Sequence, residues 1–166
     1  MYDLAIIGSG TAGLTAAIYG ARADLSTAVF VGEAFGGQIA TTNDVENFPG
    51  FEQGITGPEL TERMRKQAAR FGAEFHMDTI VNLNIDHAPF ILEGKLEHYS
   101  ARAVIAATGA SPKFLGIPGE LELAGRGVSY CATCDGAFFR DEHIAVVGGG
   151  DSALQEALFL ARFGSK

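Results

Sequence analysis

Gly8-Ser9-Gly10-Thr11-Ala12-Gly13 decides how the rest of the chain is read. It is a G-x-G-x-x-G stretch that follows the apolar run Asp3–Ile7 and opens the alanine-rich segment Thr11–Arg22. A short apolar run ended by glycines is the pattern of a buried parallel strand. Leu14, Ala17, Ile18 and Ala21 share one helical face, and Thr27–Val31 reads as a second strand, which completes a strand–helix–strand unit of about 30 residues. Each glycine has a mechanical task. Gly8 makes the tight turn, Gly10 lets the backbone approach a pyrophosphate, and Gly13 lets the helix pack close on the strand. The helix N-terminus offers free N–H groups to an anion. Glu33 lies 20 residues past Gly13. There it can accept hydrogen bonds from a ribose 2′-OH, and it would repel a 2′-phosphate. Taken singly, a glycine-rich turn and an exposed loop carboxylate are both ordinary.

The composition bounds the rest. The chain has 166 residues, 47% hydrophobic and 19% charged, with a formal net charge of −8. That is a folded, globular composition with room for a core, and an acidic balance argues against a nucleic-acid backbone binder. Glycine is the outlier, at 22 residues with no three-residue period. Clustered glycine marks tight turns and close backbone approach to ligands. No apolar run is long enough for a membrane span, and the N-terminus lacks the basic stretch of a secretory signal. With two cysteines in all, a disulfide scaffold is excluded and a cytoplasmic location is expected.

Residues 32–54 form an irregular stretch too long for a plain connection, so it is expected to be functional or disordered. A second helix follows. Thr56 and Glu59 have capping-box spacing, Pro58 suits the first turn, Leu60, Met64 and Phe71 share a face, and Gly72 is the stop signal. Residues 73–107 read as short strands at 74–77, 80–85, 90–93, 97–100 and 103–107, with turns at 86–89 and 94–95. A Gly/Pro-rich connector, Gly109 to Gly119, suggests a domain boundary. His143–Val147 reads as another buried strand, and Asp151–Arg162 as another helix.

Between them lies a second fingerprint, Gly148-Gly149-Gly150-Asp151-Ser152-Ala153, in the form G-x-G-x-x-A. Two copies suggest two nucleotide-binding units, although a ligand-free glycine turn remains open for the second. Cys131-Ala132-Thr133-Cys134 is C-x-x-C, whose thiols can close a small disulfide ring and reopen it by exchange. A zinc half-site and an inert structural pair are the alternatives. Structural zinc needs four ligands, and the nearest histidine is His143. Asp135 is a candidate proton carrier for the exchanging sulfur, or else a solvated turn aspartate. His76, His87, His98 and His143 share no motif with a nucleophile, and no metal site is expected.

With these three motifs in order, the chain resembles the N-terminal half of the bacterial-type, low-molecular-weight thioredoxin reductases. Gly36-Gly37-Gln38, Val45-Glu46-Asn47-Phe48-Pro49-Gly50, Ala107-Thr108-Gly109-Ala110, Cys131–Gly136 and Val146–Asp151 carry the likeness. It implies an α/β fold: a Rossmann-like FAD-binding domain with added antiparallel strands over residues 1–115. Residues 116–166 are then the start of a second, Rossmann-like NADPH-binding domain that bears the redox pair. FAD is implied at Gly8, Ser9, Gly10, Thr11, Ala12 and Gly13, with Glu33, Gly37, Gln38, Asn47, Ile80, Thr108 and Gly109. The nicotinamide cofactor is implied at Gly148, Gly150, Asp151 and Ser152. Cys134 matches the cysteine that takes electrons from the flavin, and Cys131 the thiol that attacks the thioredoxin disulfide. Asp135 matches the acid that protonates the departing sulfur. The resemblance also implies a homodimer.

Thr11 stands where the family usually has proline, which leaves the backbone N–H contacts intact. The chain is also about half the usual family length. It is therefore expected to be a piece of the enzyme that retains flavin weakly and shows no NADPH-driven turnover. The alternatives are the reductase module of an alkyl hydroperoxide reductase flavoprotein, or a flavin-binding fragment without turnover. The first carries further modules ahead of its flavin domain, and Met1 stands only two residues before the first strand.

Overall fold

A computed structural model describes residues 1–166. The chain divides into two compact units, Met1–Ser111 and Pro112–Lys166.

In the first unit a single six-stranded sheet has the order β3-β2-β1-β6-β5-β4. The strands are β1 (Tyr2–Ile7), β2 (Thr27–Phe30), β3 (Glu74–His76), β4 (Ile80–Asn84), β5 (Phe90–Gly94) and β6 (His98–Ala106), with helices α1 (Thr11–Arg22) and α2 (Gly57–Arg70). Strands β1, β2 and β3 are parallel, and β1 also pairs in parallel with β6. The β4–β5 and β5–β6 pairs are antiparallel. This is the Rossmann-like arrangement with added antiparallel strands that the sequence predicts.

The two strands expected at 97–100 and 103–107 are one continuous β6. Nothing at Ala101-Arg102 breaks an extended chain, and Ala101 pairs with Tyr2 on one side and Phe90 on the other. Strand β6 is thus shared: its first half belongs to the antiparallel meander and its second half to the parallel run.

Each face of the parallel strands is covered. On one face Leu4, Ile6 and Val29 pack against Ala17, Ile18 and Ala21 of α1 and Ala68 of α2. On the other, Ala5, Ala28 and Phe30 meet Leu92, Ala101, Ile80 and Leu83 of the meander. This two-sided burial explains why β1 and β2 read as continuous apolar runs rather than alternating ones. Helix α2 starts as its sequence predicts: the Thr56 hydroxyl accepts the Glu59 N–H at 3.3 Å, with Pro58 in the first turn.

The long stretch at 32–54 is ordered by its apolar side chains. Val45, Leu14, Leu60 and Met64 form a core cluster, with Phe35, Ile39, Phe48 and Phe51 packed on it. Burying a Leu such as Leu14 or Leu60, neither more than 1% exposed, stabilises by about 1.5–3 kcal/mol relative to exposure. Val45 and Ile55 exchange both backbone hydrogen bonds, which closes the stretch into a loop.

The second unit contains a one-turn helix α3 (Ala132–Asp135) and helix α4 (Asp151–Leu160). The strand expected at His143–Val147 does not form. A strand exists only through a ladder partner, and no other strand lies in this unit to supply one. The expected helix to Arg162 ends two residues earlier, at Leu160. Gly136 lets the two helices meet, since a Cβ there would lie 2.9 Å from the Leu160 side chain. No helix in either unit is long and apolar enough to cross a membrane.

Candidate functional site

The first site lies at the carboxyl ends of β1 and β6, neighbouring parallel strands where the strand order turns from β3-β2-β1 to β6. That is the crevice in which open α/β sheets bind ligands. The turn after β1 depends on two glycines. Gly8 has φ of +112°, and a Cβ at Gly13 would overlap the Gly8 carbonyl oxygen. Gly10 caps α1 with no side-chain hydrogen bond, and no acidic residue stands in the helix's first turn. The N-terminal N–H groups therefore face outward without a competing carboxylate, as an incoming phosphate requires.

Neighbouring segments converge on this turn. A Cβ on Gly8 would strike the Ala107 carbonyl, so Ala107-Thr108-Gly109 lies directly against it. A Cβ on Gly37 would lie 3.3 Å from Gly10 Cα, which puts the Gly36-Gly37 corner on the other side. The Gln38 amide donates to the Ala110 carbonyl and closes the ring of segments. Ser9 acts differently from its neighbours: it is 2% exposed. Its hydroxyl donates to the Val31 carbonyl at 3.2 Å and accepts the Gly36 N–H at 3.1 Å, stapling the turn to the loop from inside. Thr11 is half-buried and Ala12 exposed at the helix start.

Glu33 stands just past β2, exposed, and pairs with Lys95 Nζ at 3.0 Å. Sequence reasoning missed Lys95, whose only signal was its place in the Gly94-Lys95 turn. Asn47 and Ile80 make their contacts elsewhere. Asn47 lines an open cleft of about 430 Å³ formed by residues 46–52, and Ile80 packs in the core beside Phe30 and Leu92.

The second site is the cysteine pair. Cys131 is extended and caps α3, and its carbonyl accepts the N–H groups of Cys134 and Asp135, each at 3.1 Å. One helical turn brings side chains three residues apart to the same face. Cys131 and Cys134 are joined there in a disulfide with Cα atoms 5.2 Å apart. No group of three His, Cys, Asp or Glu side chains comes together to hold a metal. Asp135 follows directly and accepts the Ser129 hydroxyl at 2.5 Å. Ser129 was not singled out from sequence, though a serine two residues before a helix-capping position is a turn signal.

Close by in this unit, Glu120 is 5% exposed and accepts the N–H groups of Leu115 and Gly116 and the Tyr130 hydroxyl. The two N–H donors, with that hydroxyl, outweigh its burial and hold its pKa below the usual carboxylate range. The second fingerprint keeps the geometry of a turn into a helix. Gly148 has φ of +142°, Gly150 caps α4 without a side-chain bond, and Asp151 and Ser152 are exposed in its first turn.

The chain thus carries a glycine turn that leads from a parallel strand into a helix and a C-x-x-C pair closed as a disulfide. The chain belongs to the pyridine nucleotide-disulphide oxidoreductase family, whose model matches residues 2–166. It is 54% identical over 166 residues to a thioredoxin reductase of Peptoclostridium acidaminophilum, covering 100% of this chain and 53% of the relative. It is 55% identical over 165 residues to the bifunctional thioredoxin reductase/thioredoxin of Mycobacterium leprae, covering 98% of this chain and 36% of the relative. The crystal structure of thioredoxin reductase from Streptococcus pyogenes superposes with a TM-score of 0.93 at 47% identity, over 100% of this chain and 54% of that one. The chain thus spans about half the length, or less, of the relatives it matches.

Proposed function

We propose that this chain is the flavin-binding and dithiol-bearing part of a thioredoxin-disulfide reductase, in which electrons pass from NADPH through FAD and the Cys131/Cys134 pair to thioredoxin. The observation that carries the reading is the Cys131–Cys134 disulfide closed across one helical turn, with Asp135 beside it, in a chain 54% identical to a protein named thioredoxin reductase.

The residues fit FAD. Gly8, Gly10 and Gly13 leave a backbone cradle at the α1 N-terminus, where the N–H groups of Thr11 and Ala12 would meet the pyrophosphate. Glu33 would accept from the adenosine ribose, and Gly37, Gln38, Thr108 and Gly109 would border the bound group. Asn47 and Ile80 are proposed as further contacts on the resemblance alone. FAD, when bound, supplies two-electron transfer between a nicotinamide and a disulfide. Gly148, Gly150, Asp151 and Ser152 are proposed to border the nicotinamide cofactor at the α4 N-terminus, where backbone N–H groups and the Ser152 hydroxyl, not the Asp151 carboxylate, would meet its phosphates.

The chain's own chemistry is thiol–disulfide exchange. In the reduced pair, the Cys131 thiolate attacks one sulfur of the thioredoxin disulfide; that S–S bond breaks and a mixed disulfide forms. The Cys134 thiolate then attacks Cys131 Sγ, closing the ring and releasing thioredoxin as a dithiol. Thioredoxin gains the two electrons that the pair loses, and Asp135 carries a proton to the departing sulfur. A cytoplasmic setting and a homodimer belong to the same proposal.

Trapping tests it. Cys134→Ser chain, reduced and mixed with a thioredoxin that lacks its resolving cysteine and carries its attacking cysteine as a mixed disulfide with thionitrobenzoate, is expected to form a mixed disulfide through Cys131 and to release thionitrobenzoate. Cys131→Ser is expected to trap none. Equal trapping by both variants, or by neither, overturns the assignment.

A further inference from the structure

The Ser129 hydroxyl lies two residues ahead of the disulfide and holds both ends of the α3 turn. Its oxygen accepts the Cys131 N–H at 3.1 Å. Its single proton has two acceptors within reach: Asp135 Oδ2 at 2.5 Å and the Cys131 carbonyl at 3.4 Å. The carbonyl is already occupied by the N–H groups of Cys134 and Asp135. The shorter bond, to a charged oxygen, is the stronger of the two, so the proton goes to Asp135. Both partners are at the protein surface or half-buried. Without this bond an aspartate at the end of a one-turn helix would sample several rotamers.

We propose that Ser129 is a positioning residue for the dithiol: it pins Asp135 by Oδ2 next to Cys134 and leaves Oδ1 uncommitted to exchange a proton with sulfur. The inference rests on the redox reading given above. In the balanced step, a thiol S–H of the pair breaks and its proton passes to Oδ1. The resulting thiolate forms a new S–S bond with the partner disulfide, whose own S–S bond breaks, and the departing thiolate takes the proton from Oδ1. Ser129 neither gains nor loses a proton. It fixes where the carrier stands.

The test uses the whole chain, reduced with dithiothreitol, freed of it, and alkylated with iodoacetamide at neutral pH. Mass spectrometry follows Cys131 and Cys134 separately, and far-ultraviolet circular dichroism confirms that each variant keeps the parent fold. Asp135→Asn removes a negative charge beside the thiolates and is expected to speed alkylation about threefold. In a Ser129→Ala background, the same substitution is expected to have less than about half that effect, because the carboxylate no longer stands in place. A Ser129→Thr background, which keeps the hydroxyl, is expected to restore the full effect. An Asp135→Asn effect of equal size in the Ser and Ala backgrounds overturns the proposal, as does no effect in either, or failure of threonine to restore it. No thioredoxin enters this measurement. A chain that traps thioredoxin but shows no coupling therefore loses only the Ser129 inference, and one that couples but does not trap loses only the proposed function.

Discussion

The Tyr99 hydroxyl donates to the Asp78 carboxylate at 3.2 Å and ties the antiparallel meander to the chain leaving β3. Asp78, 3% exposed, also accepts the N–H groups of Thr79, Leu96 and Glu97. The Tyr99 ring packs 4.6 Å from Phe30, and His76 stacks on the same Phe30. One carboxylate thus closes the β5–β6 turn and locks the meander over the parallel strands. Burial pushes the Asp78 pKa up, but the Glu97, Leu96 and Thr79 N–H groups and the Tyr99 hydroxyl together hold it below the ordinary value.

A folded-state pKa below the unfolded one means that the unfolded chain binds the proton more readily. The stabilisation from Asp78 is therefore complete above the unfolded carboxylate value, about 3.9. It is lost as pH falls from there through the lower folded value. Asp78→Asn is expected to lower the urea midpoint at neutral pH and to flatten the loss of stability on the acid side. Urea unfolding of both proteins across the acid range checks this, and parallel curves would refute it.

Gly10 and Gly13 are expected to fail in different ways. A Cβ at Gly13 overlaps the Gly8 carbonyl, whereas at Gly10 the nearest atom is the Gly36 carbonyl oxygen, 3.9 Å away. Gly13→Ala is expected to cost about 1–3 kcal/mol of stability through overpacking. Gly10→Ala is expected to leave the urea midpoint unchanged while reducing FAD binding, because its methyl group would stand where the pyrophosphate approaches the backbone. Equal midpoints for the two variants would show that Gly13 has no packing role.

Glu33 is expected to matter for binding and not for folding. Its pair with Lys95 is exposed on both sides, and such pairs contribute little to stability. Glu33→Ala should weaken FAD binding about tenfold, the worth of a charge-assisted hydrogen bond to ribose, with no change in the unfolding midpoint. Fluorescence titration with FAD measures the first and urea the second. Unaltered affinity would remove Glu33 from the site.

Much of the fold could be read along the chain because its signals are local. The alanine face of α1, the capping pair Thr56 and Glu59, and the glycine turn at Gly8 each depend on residues within a few positions of one another. The fused β6 was harder to see, because pairing partners far away in sequence decide where a strand ends. The strand expected at His143–Val147 failed for the same reason: its apolar pattern is right, but a ladder partner must come from elsewhere. His76 offered no motif and is a half-buried aromatic on β3, packed between Tyr2, Phe30 and Tyr99.

The division at the candidate sites follows the same logic. Sequence alone determined that Gly8–Gly13 turns tightly into a helix and that Cys131 and Cys134 can bond, since both depend on spacing within one turn of chain. Only the tertiary structure decided that Thr108-Gly109, Gly37 and Gln38 gather around the first turn, that Ser9 faces inward, and that Lys95 reaches Glu33. Those contacts join residues 22 to 100 positions apart, and which of many such pairs meet is settled by how the parallel sheet, helices and meander bury their apolar faces together.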